Sequence, residues 1–128
     1  MNYDIGTRKE QTTMTRVLLD ASFVISAVQS KTDILKAILD KVPNAKLAMP
    51  VVVFEEVERK GTKLCVTILE HLRPTLIPTI ARFGDDAIIE IATTNDYIIT
   101  LDKELKTRAK EKGIRVLTLR QRKYVEET

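Results

Sequence analysis

The sequence has one cysteine, one histidine, no tryptophan and only four glycines among its 128 residues. The single thiol, Cys65, excludes an internal disulfide and a cysteine-based metal cluster, and it favours a reducing compartment. Cys65 stands between Leu64 and Val66 and reads as core, whereas His71, beside Leu72 at a helix end, reads as a surface or interface residue. No Gly-rich strand-to-helix turn is present, which argues against a dinucleotide or Walker-type nucleotide site. Aromatic residues make up 5% of the chain, too few for an extended base-stacking surface. No run approaches the roughly 20 apolar residues that a membrane span needs. Residues 1–14 carry Asp4, Arg8, Lys9 and Glu10 without an apolar stretch, so a secretory signal is not expected and the cytoplasm is the expected location.

What is present is a balance of 44% hydrophobic and 30% charged residues, the composition of one soluble globular domain. The net charge of +3 is unevenly placed: residues 103–128 hold nine Lys or Arg against four Glu, and the rest of the chain is slightly acidic. A basic carboxy-terminal segment on a near-neutral body suits a phosphate backbone, or it forms a solvated face.

Apolar patterning alternates between strand and helix. Residues 1–15 read as a loose leader, with the domain spanning 16–128. Strands are expected at Val17–Asp20, at Lys46–Met49, at Leu76–Ile77 between two prolines, at Tyr97–Leu101 and at Arg115–Leu119. Helical spacing runs through Ile34, Leu35, Ile38, Leu39 and Val42, with Thr32 as the expected cap, and again from Pro50 to Gly61, Leu64 to Leu72, Gly84 to Ala92 and Asp102 to Lys112. Continuous apolar strands joined through helices imply a parallel sheet covered on both faces.

Acids stand where strands hand over to helices. Asp20 and Asp102 stand at the ends of the first and fourth strands, and the carboxyl ends of parallel strands share one rim. On the helix after Pro50, Val53, Phe54 and Val57 centre the apolar face. Glu56 then falls on its shoulder and Glu55 points further into water. For Asp85 and Asp86 this test leaves the choice open. Each aspartate also suits a helix cap, and Glu56 a surface position. Carboxylates on one rim repel unless they are partly protonated or share a cation, and Mg²⁺ and Mn²⁺ take oxygen ligands.

Val17-Leu18-Leu19-Asp20-Ala21-Ser22, Val53-Phe54-Glu55-Glu56-Val57, Gly84-Asp85-Asp86-Ala87-Ile88 and Ile99-Thr100-Leu101-Asp102-Lys103-Glu104 follow one another in an order that resembles the PIN domain family of metal-dependent nucleases. Leu119-Arg120-Gln121-Arg122-Lys123-Tyr124 resembles the tail of an archaeal branch similar to the Fcf1-like ribosomal RNA processing nucleases. The resemblance implies a three-layer α/β domain with a central parallel sheet in the order 3-2-1-4-5 and helices on both faces. It implies Asp20, Glu56, Asp86 and Asp102 as catalytic and metal-binding residues, with Mg²⁺ or Mn²⁺ as cofactor. Ser22 and Thr100 resemble positions that orient the site or contact phosphate, and Glu104 resembles an outer acid. Ser22 stands where many members have Asn, and Leu101 where some have Asn or Val.

The implied activity is endonucleolytic hydrolysis of RNA in ribosomal RNA maturation or related processing, with Lys103, Lys106, Lys110, Arg120, Arg122 and Lys123 guiding the backbone. A homodimer and a protein partner that sets specificity are further expectations. The alternatives are the toxin half of a toxin–antitoxin pair and a non-catalytic RNA-binding assembly factor.

Overall fold

The computed structural model describes residues 13–128. The expected leader lies outside the described residues up to position 12, and regular structure begins one residue earlier than expected, at Thr15. The elements run β1 (Thr15–Leu19), α1 (Ala21–Gln29), α2 (Ile34–Lys41), β2 (Ala45–Pro50), α3 (Val51–Lys60), α4 (Lys63–Leu72), β3 (Thr75–Ile77), α5 (Gly84–Ile91), β4 (Tyr97–Ile99), α6 (Lys103–Glu111), β5 (Arg115–Arg120) and β6 (Tyr124–Glu127).

The sheet order is β3-β2-β1-β4-β5-β6, parallel throughout except for β6. The first five strands thus take the expected order, with helices packed on both faces. Central strands are apolar along their length because both of their faces are covered: Val17, Leu18 and Leu19 on β1 and Ile98 and Ile99 on β4 have no exposed surface. β3, flanked by Pro74 and Pro78, sits on the edge, where a missing N–H donor is tolerated. Cys65 and Leu69, one turn apart, bury the inner face of α4. Among the described residues no helix is long and apolar enough to cross a membrane.

Local signals explain most element ends. Asp33, rather than the expected Thr32, caps α2, its carboxylate accepting from the Lys36 N–H at 3.1 Å. Thr32 instead donates its hydroxyl to the Arg122 carbonyl, across 90 residues of chain. Pro50 ends β2 and takes the N-cap place of α3 instead of its first helical position.

The largest departure lies at the carboxy terminus. The basic segment is not a free tail: β6 folds back antiparallel on β5, pairing Leu119 with Val125 and Leu117 with Glu127. The reversal puts Gln121 and Arg122 at φ 52° and 57°, and the Lys123 N–H donates to the Arg120 carbonyl at 3.0 Å. Two consecutive left-handed residues give the tight reversal whose twist matches the strands it joins.

Candidate active site

The carboxyl ends of β1 and β4 lie side by side, and the Asp20 N–H continues the β1 ladder by donating to the Ile99 carbonyl at 3.1 Å. Asp20 takes the N-cap place of α1, yet its carboxylate makes no capping hydrogen bond. Both partners of its Oδ2 are hydroxyls, from Ser22 and from Thr100, each at 2.6 Å. Those hydroxyls lie 3.2 Å apart, and each accepts one backbone N–H: Ser22 Oγ from Leu101 at 3.1 Å and Thr100 Oγ1 from Asp102 at 3.0 Å. Backbone N–H groups can only donate and an ionised carboxylate can only accept, so each hydroxyl takes the N–H on its oxygen and gives its proton to Asp20. Burial raises the Asp20 pKa above the ordinary carboxylate value, the two hydroxyls pull it back, and the nearby Glu56 charge adds to the rise.

Asp20, Ser22, Glu56 and Asp102 line one cavity of about 460 Å³. Asp102 is half engaged as the N-cap of α6: its Oδ1 accepts from the Glu104 and Leu105 N–H groups at 2.8 and 3.1 Å. Glu56 is half-buried and Glu55 exposed, in line with their angular positions on α3. The Glu56 carboxylate receives Lys60 Nζ at 3.2 Å one helical turn on. Gly84 lies directly against it, since a Cβ there would come within 2.6 Å of Glu56 Oε1.

The structure separates the adjacent aspartates at the start of α5. Asp85 lines the cavity and Asp86 does not. Arg108, reaching over from α6, lies 2.9 Å from Asp86 Oδ1 and 3.4 Å from Asp85 Oδ2. Glu104 is exposed and also lies outside the cavity lining.

The acids are therefore offset in part by Lys60 and Arg108, a third way to relieve repulsion beside protonation and a shared cation. Among the described residues no three His, Cys, Asp or Glu groups converge closely enough to hold a metal ion. The carboxylates and hydroxyl of the lining are nonetheless hard oxygen donors with no thiol or imidazole among them. That donor set fits Mg²⁺ or Mn²⁺, ions that keep several waters and need only one or two carboxylates.

Two groups of cations border the site. Lys103, Lys106, Lys110 and Arg120 form one: burial lowers the Lys106 pKa, and the charges of Arg120, Lys110 and Lys103 lower it further, while Asp102 opposes them. This cluster thus adjoins the rim at Asp102. Arg120 also pairs with Glu126 at 3.4 Å. Arg122 and Lys123 sit on the β5–β6 turn, exposed and outside the cavity lining. The second group, Arg59, Lys60 and Arg82, lines the cavity itself beside the exposed ring of Phe83 and was not singled out in the sequence. The i,i+4 spacing of Glu56 and Lys60 could have flagged Lys60. Arg82, Phe83 and Arg108 leave no such local signal.

Two of the proteins that this chain resembles are informative. Ribonuclease VapC4 of Methanocaldococcus jannaschii is 34% identical over 71 residues, which cover 54% of this chain and 53% of that protein, so the match spans about half the length of each. The solved structure of the PIN domain endonuclease Utp24 superposes with a TM-score of 0.76 over 88% of this chain and 90% of its own, at 21% identity, a likeness of fold. Residues 17–122 match the family described as PIN like domain, and the chain belongs to that family.

Proposed function

We propose that this protein is a divalent-metal-dependent endoribonuclease that hydrolyses RNA phosphodiester bonds. One observation carries the reading. Asp20 is a buried carboxylate that is not used as a helix cap, held by two hydroxyls, in a cavity it shares with Glu56 and Asp102. Burying a carboxylate that no cation offsets and that caps no helix is costly, so such a group marks a functional site.

One or two of Asp20, Asp102 and Glu56 would hold Mg²⁺ or Mn²⁺ directly and the others would act through its waters, with Asp86 as an outer acid paired with Arg108. Such an ion, when bound, lowers the pKa of water and neutralises charge that develops on phosphate oxygens. The protein's own groups do the positioning. Ser22 and Thr100 fix Asp20 and favour its ionised form. Glu56 adds negative charge opposite Asp20, and the Lys106 cluster and Arg59 with Arg82 offer phosphate contacts on two sides of the acids. The resemblance to a protein named a ribonuclease supports RNA as substrate. The Leu119–Tyr124 resemblance supports ribosomal RNA maturation as the setting.

Incubation with structured and unstructured RNA tests the reading. Wild type is expected to cleave with Mn²⁺, to stop with EDTA, and to lose most of its rate in folded Asp102→Asn. Equal rates in wild type and variant would place the activity elsewhere. A second reading, an RNA-binding scaffold, draws on the pairing of Glu56 and Asp86 with Lys60 and Arg108. It predicts RNA binding with no Mn²⁺-dependent cleavage.

Gly84→Ala gives a finer check. The added Cβ meets the tip of a movable side chain, Glu56, which swings away, while the buried Val53 methyl at 3.3 Å has to give by only a few tenths of an ångström. Cleavage is expected to fall about 10-fold through misplacement of Glu56, with the melting temperature little changed. Unaltered kinetics would remove Glu56 from the reaction.

A further inference from the structure

We propose that Phe83 is a stacking platform for one unpaired nucleobase beside the scissile phosphate, with Arg82 as the cation that receives the adjoining phosphate. The proposal rests on the RNA-cleaving reading and adds the subsite that holds the substrate.

Phe83 is 72% exposed although it lines the cavity that contains the acids. An aromatic ring left in water at the mouth of a charged cleft contributes nothing to the core. Its placement is nonetheless firm. Phe83 is the N-cap residue of α5, and its carbonyl accepts from the Ala87 N–H at 2.8 Å. The loop before it is anchored by Glu90, whose carboxylate accepts the Ile80 and Ala81 N–H groups at 3.0 and 2.9 Å. Those hydrogen bonds hold the Glu90 pKa below the ordinary carboxylate value. The anchored backbone fixes where the ring is presented, so stacking a flat partner has only the two side-chain torsions of Phe83 to restrict.

Charge identifies the occupant. Arg59, Lys60 and Arg82 line the same cavity as Phe83. An apolar partner would leave those cations desolvated, whereas a nucleotide supplies a π-face for the ring and a phosphate for the guanidinium. One ring serves one base, which is consistent with a chain that has only three phenylalanines and no tryptophan. In a duplex the base faces are stacked on each other, so the base that reaches Phe83 must be unpaired.

The absence of tryptophan makes a direct test simple. Phe83→Trp places a single indole at the platform, to be titrated in EDTA with a short single-stranded RNA and with the same sequence as a duplex. Quenching of the indole by the single strand and not by the duplex is expected. By fluorescence anisotropy with labelled RNA, Phe83→Ala and Phe83→Leu should bind roughly 5- to 100-fold more weakly, and Phe83→Tyr should bind as wild type. Arg82→Ala should weaken binding and reduce its salt dependence.

Wild-type affinity in Phe83→Leu, or an indole that does not respond while RNA binds, overturns the platform and leaves the nuclease reading standing. Platform behaviour without Mn²⁺-dependent cleavage does the reverse. A change of solution mass in Phe83→Ala with RNA affinity intact would make the ring a contact between copies of the chain, and the proposal would fall.

Discussion

Asp20→Asn is expected to reduce RNA cleavage by more than about 100-fold and to leave the metal-free protein as stable as wild type or more so. The first half follows from position. Residues that merely orient a metal ligand cost 10–100-fold when removed, and Asp20 is the group that Ser22 and Thr100 orient. Asn keeps an oxygen for both hydroxyls but carries no charge. The second half follows from burial, which raises the native-state pKa of Asp20 above its unfolded value. The folded protein then binds this proton more tightly than the unfolded chain. The stabilisation from that difference is present at low pH and is lost as pH rises through the raised value. At pH 7 wild type holds a buried charge that Asn lacks. Thermal melts across pH should show the variant level with or above wild type at neutral pH, the gap closing toward pH 4. Mn²⁺ should raise the melting temperature of wild type alone. A variant far less stable than wild type at pH 7 would make Asp20 a structural acid.

Arg16→Met is expected to give the opposite outcome: a large loss of stability with the site chemistry untouched. Arg16 is the second residue of β1 and Asp96 precedes β4, so their pair closes the rim of the sheet opposite the acids. The guanidinium gives Nε and Nη2 to the two Asp96 oxygens at 3.1 and 2.7 Å, and Nη2 also reaches the Ile91 carbonyl at 2.8 Å. Asp96 is buried, and it also accepts the Thr93 N–H at 2.8 Å. Burial alone would raise its pKa, but the hydrogen bonds and charge of Arg16 and the Thr93 N–H outweigh it and hold the carboxyl below the ordinary value. Removing Arg16 strands a buried carboxylate, at a cost of about 2–4 kcal/mol because the pair keeps one solvent-facing side. For a chain of this size that corresponds to a melting point lower by roughly 6–20 °C. The sign with pH is fixed: a depressed pKa gives stability that is present above the unfolded value and lost as pH falls through the native one. Wild type should therefore lose stability below about pH 4, and Arg16→Met should lose less there. A shift of under about 2 °C at pH 7 would mean that Thr93 suffices.

The two aspartates also mark the limits of sequence reading. Asp20 follows the apolar run Val17–Leu19 and precedes a helix, a placement visible in the order of residue types, and parallel strands bring it to the same rim as Asp102. Thr93 and Asp96 form a local turn, but nothing near them marks Asp96 as a buried member of an ion pair, because Arg16 lies 80 residues away. Glu56 was distinguishable from Glu55 because a helix converts sequence spacing into direction. Asp85 and Asp86 lie in the first turn of α5, where direction depends on how the helix enters, and Arg108 from another helix contacts both of them. β6 escaped notice for a similar reason. Its turn residues, Gln121 and Arg122, lack the Gly or Asn signature of a tight reversal, so the left-handed conformation is imposed by strand pairing.

The sequence by itself determined the alternation of strands and helices, the parallel sheet and the rim on which Asp20 and Asp102 meet, because hydrophobic period and the geometry of parallel strands are local rules repeated along the chain. Only the tertiary structure decided that Arg108 offsets the acids at the start of α5, that Asp85 lines the cavity in place of Asp86, and that Arg82 and Phe83 stand beside the acids in it. Those are meetings between elements distant in the chain, and no periodicity within one element encodes its neighbour.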